Sequence, residues 1–161
     1  MGKNIKVLDK EFSPFIPYKE IENATIEVAH RINNDMKGKN PVFLVILNGA
    51  FMFAADLFKN IDLDCEVSFV KLASYCGTQS TTKVKKLIGL GEEIKGRSIV
   101  IVEDIIDTGI TMESLIEQLE EKEVKEVKIA TLLFKSDAFI KDFDIDYIGI
   151  KIPNDFIVGF G

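Results

Sequence analysis

Apolar residues in this chain fall into two patterns: unbroken short runs, and runs spaced at intervals of three and four. Val42 to Leu47 and Ile99 to Val102 are unbroken, the pattern of strands buried on both faces of a parallel sheet. Ile21, Ala24, Val28 and Ile32 recur at helical spacing within Lys19 to Met36, and Lys37-Gly38-Lys39-Asn40-Pro41 ends that helix. Met112, Leu115, Ile116 and Leu119 give a second amphipathic helix. A third is expected from Phe51 to about Asn60, with Met52, Ala55, Leu57 and Phe58 partly inward. Cys65 to Leu72 alternates, and Lys83 to Ile88 returns from a polar tract, giving a two-stranded flap. Gly89 to Gly96 is a turn; Val124 to Phe134 is a strand ending at Lys135. Tyr147 to Ile152 and Phe156 to Val158 are short apolar segments around Pro153-Asn154-Asp155. Lys6 to Pro17, broken by Pro14 and Pro17, reads as an arm lying on the body. Strands alternating with helices predict an α/β fold with a parallel sheet.

The stretch Ser98 to Met112 concentrates the chemistry. Glu103 and Asp104 stand where the strand is expected to end, and Asp107-Thr108-Gly109-Ile110-Thr111 precedes the helix. Ligands of open α/β sheets sit at the carboxyl ends of the strands. Gly109 permits a tight turn and close backbone approach, Thr108 and Thr111 offer hydroxyls, and the N–H groups of a helix start suit phosphate. Asp107 and Thr108 would also serve as plain helix caps. The acidic pair directly upstream favours a ligand site instead. Asn48-Gly49-Ala50, a small-residue turn between strand and helix, is a weaker second anion site. The tract Ala73 to Thr82 has too little apolar content to bury itself, so it reads as a mobile loop or an exposed hairpin tip. Lys71 and Lys135 are surface lysines by default.

The run V-E-D-I-I-D-T-G-I-T from Val102 to Thr111 resembles the phosphoribosyl-pyrophosphate (PRPP) motif of the type I phosphoribosyltransferases. It most resembles their 6-oxopurine branch, the hypoxanthine-guanine phosphoribosyltransferases, for which Asp107 is the discriminating position. The resemblance implies one domain over residues 1–161, a central parallel sheet flanked by helices, with a hood from both chain ends and a flexible loop at about 74–83. It implies transfer of a phosphoribosyl group from PRPP to hypoxanthine or guanine with release of pyrophosphate. In that scheme Asp107, Thr108, Gly109, Ile110 and Thr111 grip the 5′-phosphate. Glu103 and Asp104 hold the ribose hydroxyls directly or through Mg²⁺, and Asp107 acts as general acid/base at purine N7. Lys135 reads the 6-oxygen, Ile106 lies by the purine, Phe156 stacks on it, and Ile157 meets it through its backbone. Leu47, Asn48 and Gly49 bind pyrophosphate, with Lys71 a further possible contact, and Ser74-Tyr75 lead a loop that folds over the site. The family commonly has lysine where this chain has Asn48, so the backbone there carries more of the contact. It often has a cis non-proline peptide in this turn, which the residues alone do not dictate at Leu47–Asn48. It also continues past a glycine matching Gly161 with Leu-Asp-Tyr and then an arginine, which help hold a second magnesium and pyrophosphate; those positions follow the last residue here.

Composition narrows the alternatives. A chain of 161 residues with 47% hydrophobic and 29% charged content is an ordinary globular protein. A net charge of −6 argues against a nucleic-acid or anionic-membrane partner. Cys65 and Cys76 are too few for a disulfide framework, and the start has no apolar leader, so a cytoplasmic location is expected. The single histidine, His30, falls in a predicted amphipathic helix, which disfavours a histidine-dependent triad. The rivals are a relative preferring xanthine or guanine, and a non-catalytic PRPP-fold regulator that binds nucleotide and RNA. Acidic balance and Asp107 argue against the regulator. A homo-oligomer, dimer or tetramer, is the expected assembly.

Overall fold

The computed structural model describes residues 4–74, 85–88 and 93–160. Its elements are β1 (Ile5–Val7), β2 (Lys10–Phe12), α1 (Tyr18–Asp35), β3 (Val42–Leu47), α2 (Phe51–Phe58), β4 (Glu66–Ser74), β5 (Lys85–Ile88), β6 (Ser98–Ile106), α3 (Ile110–Glu120), β7 (Glu126–Lys135) and β8 (Tyr147–Ile152). The main sheet has the order β5-β4-β3-β6-β7-β8. Five of its strands are parallel, and β5 joins the edge antiparallel to β4.

Side-chain alternation along the central strands splits the core into two layers. Phe43 and Val45 of β3 and Val100 and Val102 of β6 pack with Val28, Ala29 and Ile32 of α1 and Phe53, Ala54 and Leu57 of α2. Val42, Leu44 and Ile46, with Ile99 and Ile101, pack on the other face against Met112, Leu115 and Leu119 of α3. The crossovers that follow β3 and β6 therefore cover opposite faces of the sheet. The inward side of α2 is Phe53, Ala54 and Leu57, with Phe58 half-buried against Phe43, while Met52 and Ala55 point outward. The expected inward face was thus rotated. Ala50 is fully buried at the start of the helix, and this sets its rotation.

Two segments whose form the residues left open are now defined, and one further expectation is corrected. The arm is partly a hairpin: β1 and β2 pair antiparallel, and all their residues are exposed or half-exposed, so no alternation announces them. No strand forms at Phe156 to Val158. Strand β6 does not end at Val102 but runs on to Ile106, because β7 continues beside it to the pair Ile106↔Phe134. No helix among the described residues is long and apolar enough to cross a membrane.

Polar anchors gather at the end of the sheet where the parallel strands begin. Asp146 accepts hydrogen bonds from Lys128 Nζ at 2.8 Å and from the Ile129 backbone N–H at 2.9 Å. Arg31 donates to the Asp146 carbonyl, and its guanidinium lies 5.5 Å from the centre of the buried Tyr147 ring. Ser98 Oγ donates to Glu126 Oε1 at 2.7 Å, and Lys39 pairs with the same carboxylate at 3.1 Å. The Ser98 hydrogen bond is the main cause holding the Glu126 carboxyl below its ordinary value of 4.5. A lowered carboxylate pKa adds stability above the ordinary value and loses it as pH falls through the folded-state value. Replacing Ser98→Ala is expected to lower the urea midpoint at pH 7, with the gap to wild type closing as pH drops below about 4. A gap unchanged at pH 3 would contradict this assignment.

Candidate active site

The two central strands define a crevice. β3 and β6 pair only from Val42↔Ile99 to Val45↔Val102, and their crossovers then depart to opposite faces. Such a switch point leaves a gap at the carboxyl ends of the strands. Glu103 and Asp104, both half-buried, come just past the last β3–β6 pair, inside a continuing strand rather than at its tip. The Asp104 backbone N–H donates to Glu103 Oε1 at 3.2 Å.

Across the gap, β3 ends in a tight turn. The Leu47–Asn48 peptide is cis. Ala50 N–H donates to Ile46 O, and Phe51 N–H to Asn48 O, each at 3.2 Å. The Asp104 carboxylate lies directly on Gly49: a Cβ there would sit 2.6 Å from Oδ2 and 2.9 Å from Oδ1. That contact explains the glycine, since any side chain would displace the acid. Lys71, exposed on β4, is the register partner of Leu47.

The Asp107–Thr111 loop follows β6. Gly109 has φ +84° and is the residue before α3, and at the helix start the Ile110 N–H donates to Thr108 Oγ1 at 3.5 Å rather than to the Asp107 carboxylate. That carboxylate faces Lys135 instead, with Oδ2 3.5 Å from Nζ. Lys135 ends β7, and only 10% of its side chain is exposed against 50% for Asp107. Two residues far apart in sequence thus place an acceptor and a cation side by side. Ile106 is buried just upstream, whereas Ile110 is exposed.

What underlies this loop is barely legible in the residues. Residues 136–141 fold back beneath it, with Phe139 against Gly109 and the Ile140 N–H donating to Thr108 O at 3.2 Å. Lys141 Nζ pairs with Glu113 Oε2 of α3 at 2.6 Å. The only trace in the sequence is the pair of aromatics, Phe139 and Phe143, in a segment with no helical or strand period.

Phe156 is 71% exposed and contacts the amino-terminal arm, with its ring 6.2 Å from Phe12 and 5.1 Å from Lys10 Nζ. Phe156 and Ile157 line a cleft of about 920 Å³ with Phe12, Tyr18, Leu132 and Phe160. At Ser74 the backbone closes β4 opposite Lys85, while Tyr75 and the expected loop beyond Ser74 lie outside the described residues. His30 is exposed on α1, and burial pushes the Cys65 thiol up, so neither makes a ready nucleophile. Among the described residues no group of three or more His, Cys, Asp or Glu is arranged to hold a metal ion. The donor set Glu103 and Asp104 nonetheless fits Mg²⁺, which takes one or two carboxylates and fills its shell with substrate oxygens and water.

Comparison with known proteins identifies the family. The family model described as "Phosphoribosyl transferase domain" matches residues 17–161. A hypoxanthine-guanine phosphoribosyltransferase of Lactococcus lactis is 42% identical over 158 residues, covering 97% of this chain and 86% of that protein. One from Streptococcus pneumoniae is 39% identical, over 91% of this chain and 82% of the relative. Among solved structures, a Bacillus anthracis hypoxanthine-guanine phosphoribosyltransferase with a HEPES molecule in its active site superposes with TM-score 0.84 at 34% identity. That match covers 93% of this chain and 89% of that one. With a family model matched over most of its length and relatives of this identity in both sequence and solved structure, the chain belongs to the phosphoribosyltransferase family and has the type I fold of its hypoxanthine-guanine members.

Proposed function

We propose that this protein transfers the phosphoribosyl group of PRPP to N9 of hypoxanthine or guanine, releasing pyrophosphate, in purine salvage. The observation that carries this reading is the pair Asp107–Lys135, 3.5 Å apart beside the phosphate loop. A 6-oxopurine presents N7 and O6 next to each other on one edge. A carboxylate and an ammonium at this spacing suit that edge. Lys135 donates to O6 and has nothing to accept from a 6-amino group, which selects against adenine.

In the reaction the bond from the ribose anomeric carbon to pyrophosphate breaks, the N9 bond forms, and the N7 proton passes to Asp107. Catalysis rests on positioning and on charge stabilisation. Backbone N–H groups and hydroxyls from Thr108 to Thr111 hold the 5′-phosphate. Glu103 and Asp104 orient the ribose hydroxyls and would hold Mg²⁺, which supplies charge neutralisation for the leaving pyrophosphate when bound. Leu47, Asn48 and Gly49 present backbone to pyrophosphate, and Lys71, in register with Leu47, supplies a nearby cation. Phe156 stacks on the base and Ile157 meets it through its backbone, once a ligand draws the hood over the crevice. Residues 1–161 act as one domain, in a cytoplasmic enzyme. Contacts between the two chain ends, Phe12 with Phe156 and Tyr18 with Phe160, support a hood built from both.

Replacing Asp107→Asn is expected to lower kcat with hypoxanthine by about 10²–10⁴-fold. Turnover near wild type would remove the acid/base role, and a mixture of hypoxanthine, guanine and xanthine in one assay reads base preference. Replacing Gly49→Ala is expected to push Asp104 aside, so the magnesium concentration for half-maximal rate should rise several-fold, roughly what losing a charge-assisted contact costs. An unshifted magnesium dependence would mean that Asp104 takes no part in metal binding. Phe51, Met52, Val67 and Phe69 are exposed apolar residues, consistent with a homo-oligomer, dimer or tetramer. Light scattering should give a mass above that of one chain, reduced by Phe69→Lys. A monomeric wild type would refute the assembly.

A further inference from the structure

Asp107, Thr108 and Gly109 of the D-T-G-I-T loop, and Glu113 just beyond it, all have partners in one short stretch that starts at the last residue of β7, Lys135, and ends at Lys141. Asp107 faces Lys135 at 3.5 Å. Thr108 O accepts from the Ile140 N–H at 3.2 Å. Gly109 lies so close to Phe139 that a Cβ would be 2.5 Å from Cε2, and 2.9 Å from Cγ of Lys141. Glu113, in the first turn of α3, takes the Lys141 ammonium at 2.6 Å. The stretch has its own footing: Ala138 N–H closes a turn onto Lys135 O at 3.1 Å. The Phe139 ring also sits edge-on between Phe134 and Phe143, at centroid distances of 5.2 and 5.3 Å.

We infer that Phe139 and Lys141 are positioning residues that brace the phosphate loop from beneath and tie it rigidly to the base-reading Lys135. This rests on the reaction proposed above and extends it, because neither residue belongs to the motif. A loop whose backbone N–H groups must converge on a phosphate depends on a fixed backbone path. Here that path is set by an aromatic plate under a glycine, with a lysine stem crossing beside it. Phe134 and Lys135 are consecutive, one supporting Phe139 and the other facing Asp107, so displacement of the plate is felt at both ends of the substrate. Binding of the phosphate and of the base are therefore coupled through the brace.

The test uses the full chain with PRPP, hypoxanthine and, for binding without turnover, a nucleoside 5′-monophosphate followed by calorimetry. Phe139→Ala is expected to raise the PRPP KM about ten-fold or more and to weaken monophosphate binding in proportion, with partial recovery in Phe139→Leu. Lys141→Met retains an apolar stem beside Gly109 but loses the ammonium. It is expected to fold with an unchanged melting temperature, and to raise the PRPP KM about three- to five-fold while the KM for hypoxanthine changes less. A Lys141→Met protein with wild-type PRPP KM and wild-type monophosphate affinity overturns the inference, even if Phe139→Ala does not fold. A wild-type chain that binds no monophosphate overturns the proposed function, and this inference with it; a wild type that binds while both variants bind equally removes the brace alone.

Discussion

The arrangement depends on one constraint of connectivity: β3 and β6 lie side by side in parallel, yet the helices that follow them must cover opposite faces. Neither crossover can fill the space between the two strand ends, so a crevice is forced there. The central strands are buried on both faces, which fixes their register and with it the position of the crevice. A polar ligand is then met by backbone and side chains held from behind by a dry core. The half-buried acids Glu103 and Asp104 sit at this one place because β7, and not β3, continues alongside β6.

Close approach is the second theme. Gly49 lets a carboxylate rest on backbone, and Gly109 lets an aromatic ring lie beneath a turn at φ +84°. In each case the missing Cβ matters more for what occupies its place than for chain flexibility. Gly149 is a third instance, with the Leu132 carbonyl oxygen 2.7 Å from where its Cβ would be. The three glycines join neighbouring elements at contact distances that no other residue type permits.

Strands β3 and β8 could be read to the residue, because each is a short β-branched-rich run, too brief for a helix and bounded by breakers such as Pro41 and Pro153. The periodic face of α3 was equally plain, as was the D-T-G-I-T loop. What could not be read was whatever depends on contact between distant segments. β1 and β2 carry no alternation since neither face is buried. The inward side of α2 was misjudged because nearly every residue in it is apolar, leaving no stripe to read. Lys135 looks like any surface lysine until β7 delivers it, almost wholly buried, to Asp107. The segment under the phosphate loop is irregular, so only its partners define it.

The anchors around Asp146 have a consequence for how the chain tolerates change. Lys128, the Ile129 N–H and Arg31 converge where the parallel strands begin, while the reactive groups occupy the edge where they finish. Robustness and chemistry are thus housed at opposite rims of one sheet, separated by the length of its strands. Drift at the anchoring rim alters how long the molecule survives heat or acid and leaves the crevice geometry alone. A lineage can therefore retune its working temperature there without renegotiating its catalyst.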